Sequence, residues 1–268
     1  VRTSHNPQLS EYSKSYKPHA ANGGPKSINH LSYNAFHLYW SMKIFCIIPA
    51  RGGSKGVPQK NIKPFLGQPL IAHSIQYAKD AKQVTDVFVS TDDEKIASIA
   101  KDHGARIIPR PAELSGDAAT TESAITHAIQ WWEEKGILPD IVVLLQATSP
   151  LRPPGSLDQA LIHFQEQHFD SLLSISPTHR FFWRIEGQEA MAEYDYVHRP
   201  RRQDMTEADI RYVENGSLYI FTRAHFDSLG NRLGGKIGYT IFPEEYSPEI
   251  DSKHDFLLLE NMARDLGV

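Results

Sequence analysis

Cysteine is nearly absent from this 268-residue chain: there is one, Cys46, inside the apolar stretch "KIFCII". A single thiol excludes a disulfide framework, so a reducing compartment, the cytoplasm, is the expected setting. Cys46 itself reads as a small core residue rather than a nucleophile. Apolar runs long enough to span a membrane are also missing, so no membrane partner is expected. A strong charge of either sign is lacking too. The formal net charge of -4 gives no electrostatic reason to expect nucleic acid or an anionic lipid surface as partner. Any positive charge that matters must therefore be gathered locally. What is present, 40% hydrophobic and 22% charged residues, is ordinary for a globular chain. The length suits one large α/β domain, or one domain with a small appendage.

Residues 1–41 read differently from the rest, being rich in Ser, Asn, His, Pro and Gly with no apolar period. They lack the apolar core and small-residue cleavage site of a secretory signal, and scarce arginines disfavour an organelle leader. The expectation is a disordered tail or an upstream extension, with the domain running over 42–268.

From Met42 onward, short apolar runs alternate with helical patterns. "KIFCII", "VTDVFVS", "ARIIP", "DIVVLL" and "SLLSIS" read as strands. Between them, "PLIAHSIQYAKDA", "DEKIASIAKDHG", "TTESAITHAIQWWEEKG" and "SLDQALIHFQEQ" carry apolar residues at helical spacing, with capping and stop signals at their ends. This alternation predicts an α/β fold: a three-layer, mostly parallel sheet with right-handed crossovers. The region 177–215 is aromatic and basic and reads as an insertion that leaves the sheet. Strands "GSLYIFT" and "IGYTIFP" and a last helix from Ser252 follow. Exposed aromatics in such an excursion suggest a lid or a subunit contact.

Ligands of such sheets sit beyond the carboxyl ends of the strands. That rule nominates the loops 49–61, 90–93, 109–121 and 146–152. The first, "IIPARGGSKGVPQKN", fits neither the Walker A spacing nor the dinucleotide fingerprint. It remains a glycine-rich turn flanked by Arg51, Lys55 and Lys60, able to offer backbone N–H groups and cations to a phosphate chain. A triphosphate carries about four negative charges, each charge-assisted hydrogen bond contributing about 1.5–3 kcal/mol. The plain alternative is a solvated basic turn; its place after the first buried strand favours function.

The same stretch, with "VSTDDEKIA", "RPAELSGD", "LLQATSPLR" and "RYVENGSLYIF" in that order, resembles the acylneuraminate cytidylyltransferases. The resemblance implies a Rossmann-like nucleotidyltransferase fold and transfer of CMP from CTP to a nonulosonic acid, releasing pyrophosphate. It also implies a homodimer completed by the insertion, and Mg2+ as cofactor. By similarity, Arg51, Ser54, Lys60 and Asn61 contact the nucleotide, with Arg51 and Lys60 neutralising the triphosphate; Lys55 is the weaker candidate. Arg110 fits the cytosine O2 edge, against the alternative of a surface salt bridge to Glu113 or Asp117; Thr121 lies close to the nucleotide in the family. Gln146, Thr148 and Ser149 are neutral groups suited to a polyhydroxylated sugar, with Arg152 expected to hold their loop.

Arg202, Asn215 and Tyr219 are sugar-pocket candidates by resemblance. Relatives carry an arginine where this chain has Val213, which moves carboxylate binding to Arg211 or Arg202. Asp251 and Glu249 stand where the family has its magnesium-binding acids, the longer Glu249 reaching the ion through water; the plainer role for Asp251, capping the last helix, can coexist with metal binding. Rival readings are a 3-deoxy-manno-octulosonate enzyme, a GTP-using variant, or a nucleotide-binding module without catalysis.

Overall fold

The computed structural model describes residues 42–54 and 56–267. The expectations for residues 1–41 and for Lys55 lie outside the described residues.

Strand β1 (Ile44–Pro49) opens the fold, and a short ribbon follows it, β2 (Pro64–Phe65) with β3 (Gln68–Pro69). Then come α1 (Leu70–Asp80), β4 (Asp86–Thr91), α2 (Glu94–Asp102) and β5 (Arg106–Pro109). Helix α3 (Thr121–Glu134), β6 (Ile141–Leu145), α4 (Ser156–Glu166) and β7 (Ser171–Thr178) continue the alternation. The hairpin β8 (Trp183–Glu186) and β9 (Glu189–Ala192) leads to the long β10 (Arg211–Thr222). Helix α5 (Arg223–Leu229), β11 (Ile237–Ile241) and α6 (Lys253–Leu266) complete the chain.

Seven strands form one sheet in the order β11-β7-β10-β6-β1-β4-β5. Only β10 runs antiparallel to its neighbours, β6 and β7; the other pairs are parallel. The mostly parallel sheet expected from the alternation is present. Its central strand explains the unbroken apolar run. Ile44, Cys46 and Ile48 pack on one face with residues of α1, α2 and α4, while Phe45 and Ile47 pack on the other with Trp132 of α3. A strand covered on both sides has no solvent face to mark with polar residues.

The excursion from the sheet is narrower than 177–215. Tyr212 pairs with Pro177 and Glu214 with Ile175, so the sheet extends to Thr178 and resumes at Arg211. Backbone pairing overrides the polar, aromatic character of those residues. Helix α5 and the β2–β3 ribbon were not legible in the sequence; both are too short to show a period.

A third apolar cluster matters most for the site. Val57, Phe65 and Leu70, near the first loop, pack with Leu151 and with Ile250, Phe256, Leu259 and Ala263 near the chain's end. Burying each such side chain contributes about 1.5–3 kcal/mol, enough together to fix the start of α6 against the glycine loop. No helix among the described residues is long and apolar enough to cross a membrane.

Candidate active site

A cavity of about 330 Å³ opens at the carboxyl ends of β1 and β6, and is lined by Arg51, Ser54, Lys60, Asn61, Thr121, Gln146, Thr148 and Asp251 among others. Four separate segments supply these residues, and the cavity lies where wound sheets place their ligands.

The glycine loop forms one wall. Gly52 N–H donates to Asp92 Oδ1 at 3.1 Å, and Asn61 Nδ2 donates to the Arg51 carbonyl at 3.1 Å. Asp92 was not among the expected site residues, although its loop was nominated by position. Gly56 passes so close to the Asp251 carbonyl that a side chain there would collide with it. Glycine is needed at that point for close approach rather than for an unusual backbone angle.

The loop cations are held by acceptors from elsewhere. Arg51 Nη1 donates to the Gly116 carbonyl at 2.8 Å and lies 3.3 Å from Asp117 Oδ1. Lys60 Nζ donates to the Ile250 carbonyl at 2.8 Å and to Asp251 Oδ1 at 3.1 Å. Asp117 thus pairs with Arg51, and not with Arg110 as the salt-bridge alternative supposed. Arg110 is not on the cavity wall. It is buried, its Nε has no hydrogen-bond partner, and burial pulls its pKa down, with Arg51 adding to that effect and Asp92 opposing it. A buried donor left unmatched is costly.

The capping alternative for Asp251 is excluded by geometry. Ser252 caps α6 in a capping box with Asp255, whose carboxylate accepts from the Asp251 and Ser252 N–H groups at 2.7 and 2.6 Å. The Asp251 carboxylate is left exposed beside Lys60. Glu249 stands nearby, half-buried, with Thr148 Oγ1 donating to it at 3.5 Å; burial first, and then the charge of Asp251, raise its pKa. Two carboxylates that repel one another, Asp251 on the cavity wall and Glu249 beside it, are hard oxygen donors of the kind a divalent cation takes. Among the described residues no group of three or more His, Cys, Asp or Glu side chains could hold a metal by itself.

The remaining sugar-pocket expectations are redistributed. Ser149 is 1% exposed and its hydroxyl is buried within the turn after β6, away from the cavity wall. Asn215 is 2% exposed and fully engaged: its Oδ1 accepts from Ser174 Oγ at 2.5 Å and Ser217 N–H at 3.2 Å, and its Nδ2 donates to Ser176 Oγ at 2.9 Å. It fixes the irregular stretch of β10 between Glu214 and Tyr219. Tyr219 is buried; its hydroxyl donates to Glu214 and its ring lies under Arg232 at 4.5 Å. Burial and the Glu214 carboxylate push its pKa up to about 12. Arg202 pairs with Glu244 at 3.7 Å on the surface. Arg211 donates to the Ala208 carbonyl at 2.9 Å and lines a separate cavity of about 400 Å³ in the insertion. None of these five lines the main cavity in this chain. Local pairing engages Asn215, Tyr219, Arg202 and Arg211 instead.

Relatives identify the arrangement. The sequence model described as "Cytidylyltransferase" matches residues 45–243. The N-acylneuraminate cytidylyltransferase of Oncorhynchus mykiss is 37% identical over 229 residues, 84% of this chain and 51% of that protein. The pseudaminic acid cytidylyltransferase of Campylobacter jejuni is 36% identical over 186 residues, 68% of this chain and 79% of that protein. A solved CMP:2-keto-3-deoxy-manno-octonic acid synthetase complexed with CTP superposes with a TM-score of 0.61 at 16% identity, over 84% of this chain and 99% of that one, a likeness of fold. The chain spans about half the length of several curated relatives it matches, the Oncorhynchus protein among them. With a glycine loop, two cations and an acid meeting at one end of a wound sheet, and this match across most of its length, the chain belongs to the cytidylyltransferase family.

Proposed function

We propose that this chain transfers CMP from CTP to the anomeric hydroxyl of a nonulosonic acid. The observation that carries the reading is the meeting of Arg51, Lys60, Asp251, Thr121 and Gln146 on one cavity. Its relatives' activities, toward N-acylneuraminate and pseudaminic acid, define the substrate class.

In the reaction the hydroxyl oxygen bonds to the α-phosphorus, the bond to the bridging oxygen breaks, pyrophosphate departs, and the hydroxyl proton passes to solvent. Such transfers need alignment and neutralisation of charge more than covalent help. Arg51, Lys60 and the amides of the glycine loop take the triphosphate, exchanging their internal acceptors for phosphate oxygens. Release from Lys60 frees Asp251, which with Glu249 would hold magnesium. Bound there, the ion would neutralise phosphate charge and ease deprotonation of the sugar hydroxyl. Arg110, at the end of β5, takes the base edge by its place in the motif "RPAELSGD", although it stands behind the cavity wall in the free chain. Gln146 and Thr148 face the sugar.

A homodimer is part of the proposal. In the insertion, Trp183 and Tyr196 are 50% and 64% exposed, and along the edge strand β11 Ile237, Tyr239 and Ile241 are each about half exposed on one face. Clustered apolar surface of this kind favours association. A second copy would also bring Arg202 or Arg211 toward a sugar carboxylate that they do not reach within one chain.

The test is pyrophosphate release with each of the four nucleoside triphosphates and N-acetylneuraminate, pseudaminate or legionaminate, with and without magnesium. Turnover with CTP, dependent on the metal, is expected. Preference for GTP would defeat the Arg110 argument, and nucleotide binding without turnover would reduce the chain to a binding module.

A further inference from the structure

Arg152 is a cation sealed into the core, 6% exposed, and none of its hydrogen bonds goes to a carboxylate. A buried charge with no directly paired carboxylate, Glu249 acting on it only at a distance, is expensive, and an apolar residue of similar volume would usually serve packing as well or better. The groups that compensate it are informative. Nη2 donates to the Gln146 carbonyl at 2.7 Å and to the Ser217 carbonyl at 3.1 Å, Nη1 donates to Ser74 Oγ at 3.0 Å, and the guanidinium stacks on Tyr77 at 5.1 Å.

The two carbonyls belong to different segments. Gln146 follows β6 and lines the cavity. Ser217 lies in the irregular part of β10, beside Gly216, which adopts a left-handed φ of +67°. A side chain at Gly216 would collide with the Glu249 carboxylate and touch the Gln146 amide at 3.4 Å. Asn215 grips the same stretch from the β7 side. One planar fork therefore ties together the backbone behind Gln146, the bend at Gly216 and the seat of Glu249. A lysine offers no such fork. The proposed nucleotide half of the cavity, Arg51, Ser54, Lys60 and Asn61, is built by the glycine loop, to whose described residues Arg152 makes no hydrogen bond.

We propose that Arg152 is a positioning residue that sets the sugar-acid wall of the cavity through Gln146 and Ser217, and so governs capture of the sugar acid and not of the nucleotide. This rests on the cytidylyl-transfer reading above.

The experiment measures separate KM values for CTP and for N-acetylneuraminate or pseudaminate in R152K, R152M and S74A, with thermal unfolding of each. R152M and R152K are expected to raise the sugar-acid KM about ten- to a hundredfold, as misplacement of a substrate contact does, while the CTP KM changes less than about threefold. S74A removes one anchor of the fork and is expected to show the same selectivity at smaller size. In a double-mutant cycle, R152M should add little to Q146A, because the first acts through the second. Equal rises in both KM values, no rise in either, or additive effects in the cycle would overturn the proposal. If R152M does not fold, R152K and S74A decide the matter by the same split. Wild-type protein with no turnover of CTP and any sugar acid would remove the functional reading and this proposal together; wild-type turnover with unselective variants would remove this proposal alone.

Discussion

Replacing Asp251 by Asn separates function from stability. The Asp251 side chain is 77% exposed and its partner Lys60 only 13% exposed. An ion pair with one end in water contributes little, about 0–1 kcal/mol. Lys60 keeps its 2.8 Å bond to the Ile250 carbonyl after the change, so no buried cation is orphaned. Loss of stability should therefore stay below about 1 kcal/mol. If Asp251 holds the metal as proposed, catalysis should fall by about a hundredfold or more, because one of the metal's two carboxylates is gone. The control is Asp255→Asn, four residues on. Its carboxylate accepts from two backbone N–H groups that start α6, and a lost cap costs about 1 kcal/mol. Those amides also hold the Asp255 carboxyl below the usual carboxylate range. Its contribution is thus complete above the unfolded pKa and lost as pH falls through the folded one. Urea unfolding and pyrophosphate release on both variants complete the comparison. If D251N lost more than about 2 kcal/mol while keeping activity, Asp251 would be structural and the active-site reading of it wrong.

Arg51→Ala should leave the melting temperature nearly unchanged, since its partner Asp117 is exposed, and reduce kcat/KM for CTP by at least about tenfold; unchanged kcat/KM would remove Arg51 from the phosphate site. Gly216→Ala should cost about 1–2 kcal/mol from the left-handed backbone alone, with further loss from the collision at Glu249, read by urea unfolding; a neutral result would mean that the bend relaxes freely. His73 Nε2–H donates to the Phe65 carbonyl at 2.8 Å, and burial lowers its pKa from 6.5. Below about pH 6.5 the unfolded chain takes up this proton first, so stability should fall as pH drops through that range, and His73→Asn should flatten that slope in a pH series of unfolding curves.

Features that depend on near neighbours in sequence were legible: the alternation of strands and helices, the doubly covered "KIFCII", and the glycine loop with Arg51 and Lys60 at its flanks. Position at strand ends then located the cavity. The roles of Ser149, Asn215 and Tyr219 were not legible, because a polar residue on a strand can face a ligand or a neighbouring strand. The irregular pairing of β10 turned Asn215 inward to three serines. No local pattern announces that turn.

The order of residues by itself determined the wound sheet, since a parallel strand needs a crossover and an apolar run needs cover on both sides. It also determined the rim where Arg51, Lys60 and the glycine loop collect. Tertiary structure alone decided that Asp251 reaches Lys60 across 191 residues of chain, that Asp255 and not Asp251 caps the last helix, and that Arg152 spends its fork on two carbonyls. Each of these depends on which acceptor lies within about 3 Å of a donor, and distances between remote segments are set by core packing that no local stretch encodes.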